Sequence, residues 1–359
     1  MRLALLTEIP APYRIPLFNA LASRVDLRVL FLGEQDPRRS FYELHRDEWR
    51  FDHRVLPGPR LRRGSRWVVL NRGVLRELRR FRPDVVAVGG WNQPAFWLAL
   101  AYSRTRDAPL LVWIESTEHD ARSGSRVLAR ARNAMVRRAA GAFVPGTAAA
   151  EYARALGVEL VEVAPNAIDA SVFGRAAVDR NGRGGFRVLY AGRLDPEKGV
   201  DTLIDAFRGL PGELVVVGSG SAEAELRARA GVAVRFEPPR DRDALVDAYA
   251  EADVFVLPSR SEPWGMVLNE AAAAGLPLVA TEESGAARDL VEQGENGYLV
   301  PAGDVEALRA ALRRLADDPA LRARFGARSR ELSARFTPEA WADGVASACD
   351  RALRRTGRR

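Results

Sequence analysis

The 359-residue chain has only one cysteine and one lysine, and it lacks long apolar runs. The single cysteine, Cys349, excludes an internal disulfide and is typical of a reducing compartment. Residues 95–102 are among the longest apolar stretches and are far too short to span a bilayer. Residues 1–7 form a short apolar run without the small-residue cleavage site of a signal peptide. We therefore expect a cytoplasmic protein that is neither disulfide-stabilised nor membrane-spanning.

Arginine is what the chain has in abundance: 53 of its 54 basic residues are arginine, and the net charge is +7. Residues 1–170 hold 27 basic and 18 acidic residues, whereas residues 171–359 hold 27 basic and 29 acidic residues. The first half thus carries the positive charge. Such a field attracts anionic lipid headgroups or nucleic acid, and a solvated arginine-rich surface without a partner is an equally weighted alternative.

Strands alternate with helices through most of the sequence, which predicts an α/β fold with parallel, doubly wound sheets. A glycine- and charge-rich segment, residues 171–185, interrupts this alternation and is typical of a linker. The length is that of about two domains, and we place them at residues 1–170 and 186–337. Residues 338–359 contain a terminal helix with no strand after it, and a return to the first domain is one arrangement open to it.

Parts of the first domain have weaker patterns. Residues 35–64 lack periodicity and are predicted to be loops with one short strand at 53–56, and residues 68–81 are predicted to be an amphipathic helix. His119 lies in a loop that follows a predicted strand at 109–114. A lone histidine is usually a structural or surface group, so its loop position alone gives it no function.

One stretch of the second domain suggests a ligand site. A buried strand is predicted at residues 254–257, and a helix that Gly275 ends is predicted at residues 265–274. Glu262 therefore lies in the loop between them, at the carboxyl end of a strand, where open α/β sheets bind ligands. Glu270 lies eight residues further on, inside the helix.

The start of this helix presents its first N–H groups, those of Gly265, Met266 and Val267, to an anion. With one glutamate on each side, it suits a ligand that has hydroxyls at both ends and phosphate in the middle, as a nucleotide-sugar has. Two glutamates eight residues apart are also common on surface helices, so this stretch alone does not decide between a site and a surface.

A second motif, Gly-Arg-Leu-Asp-Pro-Glu-Lys-Gly at residues 192–199, follows a predicted strand and precedes a predicted helix. Arg193 and Lys198 are two cations five residues apart at the carboxyl end of that strand, a pattern that suits a diphosphate and the charge on a departing group. The only lysine of the chain lies here, and lysine differs from arginine as a ligand because it is a compact point charge. The coincidence favours a phosphate site over solvated loop charges.

The two motifs resemble those of the retaining GT-B glycosyltransferases of family 4. Further segments carry the resemblance, which are Gly-Ser-Gly at 218–220, Pro-Asn-Ala-Ile-Asp at 165–169, Gly-Glu-Asn-Gly at 294–297 and residues 317–336. The match is dense over residues 165–340 and weaker over residues 1–160. It implies a GT-B fold, in which two doubly wound parallel-sheet domains face each other across a cleft, with the acceptor on the first domain and the nucleotide-sugar on the second.

The resemblance also implies roles for individual residues. Arg193 and Lys198 would hold the donor diphosphate, assisted by the N–H groups at the helix start. Glu262 would accept hydrogen bonds from the donor sugar near the reacting carbon, and Glu270 would hold the ribose. His119 would face the donor sugar and the acceptor, so that His119 and Glu262 are the candidate catalytic residues.

Members of this family transfer a sugar with retention and without a metal or other cofactor, and the nucleotide-diphosphate sugar is the donor substrate. The acceptor that the resemblance implies is a cell-envelope polysaccharide, a lipid-linked sugar or another glycan. The reaction would take place at the inner face of the membrane, which the basic first domain would contact peripherally.

Two other interpretations stay open. One is a different GT-B enzyme, such as a sugar-nucleotide epimerase, or a phosphorylase in which Lys198 would be the only candidate for a pyridoxal Schiff base. The other is a non-enzymatic binding protein that uses its basic half. The sequence contains no recognised nucleic-acid motif, so we do not expect nucleic acid as a partner.

Overall fold

The computed structural model describes residues 1–35, 45–63, 66–119, 126–175 and 185–357. It divides into two compact units. The first unit contains Met1–Ser116, Ala121–Asn166 and Pro338–Arg359, and the second contains Thr117–Asp120 and Ala167–Thr337. The chain passes into the second unit at Asn166 and Ala167, somewhat before residue 170. Most of the predicted linker, residues 176–184, lies outside the described residues.

The first unit is built on a parallel sheet whose central strands are buried on both faces. Its described strands are β1 (Arg2–Thr7), β2 (Asp26–Phe31), β3 (Asp52–Val55), β4 (Arg60–Arg63), β5 (Arg66–Val69), β6 (Val85–Val88), β7 (Leu110–Trp113), β8 (Gly141–Val144) and β9 (Val161–Val163). Its helices up to this point are α1 (Ile15–Ala22), α2 (Val74–Phe81), α3 (Pro94–Arg106), α4 (Arg126–Val136) and α5 (Thr147–Ala155). The sheet order is β3-β2-β1-β6-β7-β8-β9, and β4 and β5 form a separate antiparallel hairpin.

This hairpin shows that the prediction of a helix over residues 68–81 was wrong at its start. Residues up to Val69 are extended, and the helix begins only at Val74. The side-chain amide of Gln93 holds β5 in place, because it donates to the Trp67 carbonyl at 3.0 Å and accepts from the Val69 N–H at 3.0 Å. Aromatic and β-branched residues in sequence favour a strand once such a partner is present.

The second unit is a second parallel α/β sheet. Its strands are β10 (Arg187–Ala191), β11 (Glu213–Val217), β12 (Val234–Glu237), β13 (Val254–Leu257), β14 (Leu278–Thr281) and β15 (Gly297–Val300). Its helices are α6 (Ala170–Gly174), α7 (Val200–Phe207), α8 (Glu223–Arg229), α9 (Arg242–Glu251), α10 (Met266–Ala273), α11 (Ala287–Leu290), α12 (Val305–Asp317) and α13 (Pro319–Ser333). The order β12-β11-β10-β13-β14-β15 and the parallel pairing confirm the predicted α/β fold class.

The elements around the predicted ligand site are confirmed. β13 has the predicted bounds, and α10 begins and ends within one residue of the prediction. Gly275 follows α10 with φ +72°, a backbone conformation that glycine adopts at low cost and that ends helices. The loop that carries Glu262 therefore joins a buried strand to a helix.

The terminal helix, α14 (Pro338–Arg355), packs within the first unit. Trp341 is fully buried there, with its ring centroid 5.4 Å from that of Trp113 and 6.0 Å from that of Phe18. At Gly344 the helix lies so close to β9 that an added Cβ would stand 2.3 Å from the Val163 carbonyl oxygen. Aromatic burial and this close backbone approach attach α14 to the first sheet.

Each sheet has one topological switch point. In the first sheet the strand order reverses between β1 and β6, and in the second it reverses between β10 and β13. Loops diverge at the carboxyl ends of the strands on the two sides of such a point, which opens a crevice where α/β proteins bind ligands. Lys198 follows β10 and Glu262 follows β13, so both belong to the switch point of the second unit.

Candidate active site

The switch point of the second sheet brings Lys198 and Glu262 together. Lys198 Nζ donates a hydrogen bond to Glu262 Oε2 at 2.6 Å, and the two side chains are only 8% and 17% exposed. The pair forms because β10 and β13 are hydrogen-bonded neighbours. A cation and a carboxylate held side by side can meet a phosphate oxygen and a hydroxyl group of one ligand.

The loop that carries Lys198 is shaped by a close backbone approach to the loop after β11. Gly218 has φ +148°, and a Cβ at this position would lie 1.9 Å from the Gly192 carbonyl oxygen. Asp195 accepts bonds from the Ser221 N–H at 3.0 Å and the Ser221 hydroxyl at 2.8 Å. Burial raises the pKa of Asp195, but the two bonds from Ser221 and the charges of Arg193 and Lys198 together outweigh burial and hold that pKa below its ordinary value. The two loops are thus tied together.

Arg260, which the sequence analysis did not select, joins the loops after β10 and β13. Its guanidinium donates to both carboxylate oxygens of Asp201, at 2.8 and 2.7 Å, and its backbone N–H donates to the Glu197 carbonyl at 2.9 Å. A bidentate arginine–carboxylate pair is directional as well as strong. It therefore fixes the loop of Lys198 against the loop of Glu262.

Gly265 defines the start of α10. Its φ is +96°, in the left-handed region, and a Cβ there would lie 2.7 Å from Leu257 Cδ2 and 3.2 Å from Glu262 Cγ. A larger residue would thus displace the Glu262 side chain. The N–H groups of Gly265, Met266 and Val267 precede the first complete helical turn, and with the positive end of the helix dipole they favour an anion.

Arg193 lies apart from this buried pair. Its side chain is 59% exposed, and its guanidinium pairs with Asp195 and, at 2.9 Å, with Glu197. Its carbonyl accepts a bond from the buried Tyr190 hydroxyl at 2.7 Å. Burial, and then the charge of Glu262, raise the pKa of Tyr190 above its ordinary value, so the phenol remains a donor. An anionic ligand would compete with two carboxylates for Arg193.

Glu270 is half-buried on α10 and accepts a hydrogen bond from the Tyr249 hydroxyl at 2.8 Å. Tyr249, on α9, is fully buried. Burial, and then the charge of Glu270, raise the pKa of Tyr249 well above its ordinary value. The sequence analysis missed Tyr249, because a contact between two helices leaves no local signal in the sequence.

His119 is exposed, and its backbone approaches the loop of Glu262. The Ser261 hydroxyl donates to the His119 carbonyl at 2.7 Å. Asp120, which follows it in sequence, lies outside the described residues. Of the predicted site residues, the structure thus pairs Lys198 directly with Glu262 and joins His119 to that loop through its backbone.

The switch point of the first sheet also holds polar side chains that the sequence analysis did not select. Glu8 follows β1, and its Oε1 accepts bonds from the side-chain amides of Asn92 at 2.6 Å and Gln93 at 3.3 Å, both of which follow β6. Their shared position, directly after neighbouring strands, is the signal that could have identified them.

Next to this cluster, Arg14 is used as a structural cation. It donates to Glu115 Oε2 at 2.6 Å and lies over the Trp113 ring, 4.3 Å from its centroid. Burial lowers the pKa of Arg14, but the charge and the hydrogen bond of Glu115, together with the charges of Tyr13 and Glu8, outweigh burial and raise that pKa above its ordinary value. Glu115 Oε1 accepts a further bond from Asn166 at 3.4 Å. Glu115 is thus held by two partners while its side chain stays 35% exposed.

Neither a membrane-spanning helix nor a metal-ligand cluster occurs among the described residues. No helix there combines the length and the apolar character that a membrane crossing requires. In the same part of the chain, no three or more histidine, cysteine, aspartate or glutamate side chains are grouped so that they could hold a metal ion.

Comparison with known proteins identifies the class of this architecture. The crystal structure of HepE from Anabaena in complex with UDP matches with a TM-score of 0.78 at 20% sequence identity, covering 98% of this chain and 100% of that chain. Two parallel-sheet α/β units with such neighbours define a GT-B fold. The profile of the family Glycosyl transferases group 1 matches residues 179–332, and that of Glycosyltransferase Family 4 matches residues 17–172. The chain belongs to the group 1 glycosyltransferases.

The curated relatives include a glycogen synthase and a D-inositol 3-phosphate glycosyltransferase. Glycogen synthase of Mycobacterium tuberculosis is 36% identical over 282 residues, which are 73% of this chain and 66% of that protein. D-inositol 3-phosphate glycosyltransferase of Streptomyces avermitilis is 41% identical over 157 residues, which are 38% of this chain and 34% of that protein. The match thus spans 66% of one of these relatives and about a third of the other.

Proposed function

We propose that the protein is a retaining glycosyltransferase that moves a sugar from a nucleotide-diphosphate sugar to a hydroxyl group of a glycan, such as a cell-envelope polysaccharide or a lipid-linked sugar. The observation that carries this proposal is the buried Lys198–Glu262 pair at the switch point of the second sheet, beside the start of α10. The names of the relatives, and the UDP bound to HepE, support a nucleotide-sugar as the donor.

Lys198 and the start of α10 act on the diphosphate. Negative charge grows on the leaving phosphate oxygen as its bond to the sugar breaks. The Lys198 ammonium and the N–H groups of Gly265, Met266 and Val267 neutralise that charge in a partly buried site, where electrostatic stabilisation is strong. Arg193 adds a second cation at the rim when it exchanges its carboxylate partners for phosphate. In this proposal these cationic groups take the place of a metal ion.

Glu262 and Glu270 act on the two ends of the donor. Glu262 accepts hydrogen bonds from hydroxyls of the donor sugar, and its charge favours the positive character that develops at the reacting carbon. Glu270, eight residues further along α10, accepts hydrogen bonds from the ribose. His119, beside the loop of Glu262, faces the donor sugar and the acceptor.

The transfer itself takes place on one face of the sugar. The bond between C1 and the diphosphate oxygen breaks, the bond between C1 and the acceptor oxygen forms on the same face, and the acceptor proton moves to the departing phosphate oxygen. Retention of configuration at C1 follows from this front-face attack.

The first unit supplies the acceptor side. Glu8 and the side-chain amides of Asn92 and Gln93 lie at its switch point, and Glu115, which follows β7, is bonded to Arg14 and Asn166. Carboxylates and amides are suited to hydroxyl groups. Residues 1–170 also carry nine more basic than acidic residues. We propose that this charge holds the protein peripherally on an anionic membrane at its inner face, which vesicle co-sedimentation at low and high salt would measure.

The test of the proposed reaction needs no acceptor, since water can replace it slowly. The protein is incubated with UDP-, GDP-, ADP- and dTDP-sugars, and the anomeric protons are followed by NMR. We expect release of the nucleoside diphosphate and a first sugar product with the anomeric configuration of the donor. An inverted first product contradicts retention, and a changed sugar without diphosphate release indicates an epimerase. Unchanged donors throughout, also with oligosaccharides added, contradict the proposal.

A further inference from the structure

The Tyr249–Glu270 contact lies outside the direct donor contacts proposed above. Tyr249 is fully buried on α9, and its hydroxyl donates to Glu270 Oε2 at 2.8 Å. The same hydroxyl lies 3.4 Å from the Val267 carbonyl oxygen, in the first turn of α10. A buried phenol is thus directed at the helix that carries the proposed ribose carboxylate.

The Tyr249 ring is held rigidly. It packs edge-on against Phe173 of α6, with the ring centroids 5.8 Å apart and an angle of 81° between the ring planes. It also packs against Phe255 of β13, with the ring centroids 5.7 Å apart and the planes tilted by 52°. Packing of this kind restricts the ring to one orientation. The hydroxyl therefore has a fixed position, from which it can orient a flexible glutamate side chain.

The phenol also keeps the same proton state over the working pH range, because burial and the Glu270 charge both oppose its ionisation. It remains a hydrogen-bond donor. A half-buried glutamate has three rotatable side-chain bonds, and one short charge-assisted hydrogen bond is enough to favour a single rotamer.

We propose that Tyr249 is a positioning residue for nucleotide recognition: it fixes the Glu270 carboxylate so that this group selects donors with a complete ribose diol. The inference rests on the proposed function, since it assumes a nucleoside diphosphate at this site. Tyr249 does not touch the ligand in this arrangement and acts only through Glu270.

The inference makes ribose discrimination depend on the phenol. A 2′-deoxy nucleotide lacks one of the hydroxyls that Glu270 would bind, so the wild type should bind it about tenfold more weakly than the ribonucleotide, as for a hydrogen bond to a charged group. Tyr249→Phe keeps the ring and removes only the hydroxyl. Because the Glu270 carboxylate then lacks the hydrogen bond that the phenol donates to it, the variant should lose most of this tenfold discrimination, chiefly through weaker binding of the ribonucleotide.

The experiment measures Kd by calorimetry for UDP, GDP and ADP and for their 2′-deoxy counterparts. Tyr298→Phe is the matched control, since Tyr298 is a largely buried tyrosine of the same unit that packs on Phe325. It should bind both nucleotides as the wild type does. In a Glu270→Gln background, Tyr249→Phe should change the Kd of the ribonucleotide by less than about twofold, because the two residues act as one unit.

The outcomes separate the two proposals. If the wild type binds neither these three nucleoside diphosphates nor dTDP, the proposed function and this inference both fail. If it binds dTDP but none of the three ribonucleotides, only this inference fails. If the wild type binds them but Tyr249→Phe weakens ribo- and deoxynucleotide equally, or leaves both unchanged, the positioning role is wrong and the proposed function stands. The inference would also be overturned if Tyr249→Phe weakened ribonucleotide binding as much in the Glu270→Gln background as it does in the wild type.

Discussion

The Lys198 ammonium and the Glu262 carboxylate lie 2.6 Å apart, although 64 residues separate them in the chain. They meet because β10 and β13 are neighbours and because both residues follow the carboxyl end of their strand. Removal of one member leaves the other charge buried without its partner, which is costly. The same pair is therefore a structural element and the centre of the proposed donor site, and these two roles can be separated by mutation.

The first prediction uses this separation. Lys198→Met should lower the free energy of unfolding by about 3 kcal/mol, the cost of an orphaned buried charge. The double variant Lys198→Met, Glu262→Gln contains neither charge and should recover most of that loss in urea denaturation. It should nevertheless stay inactive on nucleotide-sugars. Recovery of activity together with stability would show that the pair is only structural.

Gly265 provides a second prediction, with a matched control in the same unit. Gly265→Ala should destabilise the protein by about 1–2 kcal/mol for the left-handed backbone alone, and the new Cβ, 3.2 Å from Glu262 Cγ, should also weaken donor binding. Gly294 has a similar φ of +79° with no neighbouring atom within 4 Å of a Cβ. Gly294→Ala should cost similar backbone energy without a change in donor affinity. Equal affinities of the two variants for a nucleoside diphosphate would contradict the account of α10.

The third prediction concerns Arg193, which the structure places at the surface. Because Asp195 and Glu197 already pair with its guanidinium and the side chain is 59% exposed, Arg193→Ala should change stability by less than about 1 kcal/mol. Its effect on diphosphate affinity should be smaller than that of Lys198→Met and should fall further at high salt. Calorimetric titration at two salt concentrations measures both effects. A larger and salt-independent loss in Arg193→Ala would give it the central role instead.

The fourth prediction follows from the Arg260–Asp201 pair. Burial raises the pKa of Asp201, but the hydrogen bonds and the charge of Arg260, together with bonds from the backbone N–H groups of Thr202 and Asp201, outweigh burial and hold that pKa below its ordinary value. A depressed carboxyl pKa in the folded state gives stability that is present above the ordinary value of about 4 and is lost as pH falls through the lower folded value. At pH 7 the free energy of unfolding of the wild type should therefore be about 1 kcal/mol higher than that of Asp201→Asn. The difference is this small because the pair is partly exposed. The gap should close toward pH 3, and a gap that is constant with pH would contradict this account.

Most of the parallel strands were predictable because they are short apolar runs, some of which end at a glycine or proline, as β11 does at Gly218 and β13 at Pro258. The antiparallel β4–β5 hairpin was not, since its arginines give no apolar alternation and Gln93, a distant residue, holds β5 in place. α13 was also missed, because only three of its residues, Leu321, Phe325 and Leu332, are large and apolar, although Asp318 and Pro319 form a clear helix start.

The site was predictable only as separate loops. The sequence places Lys198 and Glu262 after strands, but the order of strands in the sheet, which makes them partners, is a tertiary property. Arg260 and Tyr249 were missed for the same reason, since each acts through a contact between distant segments. The sequence assigns Arg193 and Lys198 the same diphosphate role, and their different burial appears only in the folded chain.

The most direct test of the central claim is donor binding at the Lys198–Glu262 pair, measured by thermal shift against UDP-, GDP-, ADP- and dTDP-sugars. A ligand that binds only the folded state stabilises it and so raises Tm. At a ligand concentration of one hundred times Kd, the stabilisation is about 2.7 kcal/mol. We predict that at least one of these donors raises the Tm of the wild type and that the Lys198→Met, Glu262→Gln double variant, although folded, shows no shift. An equal shift in both proteins, or no shift in the wild type with any donor, would contradict the account.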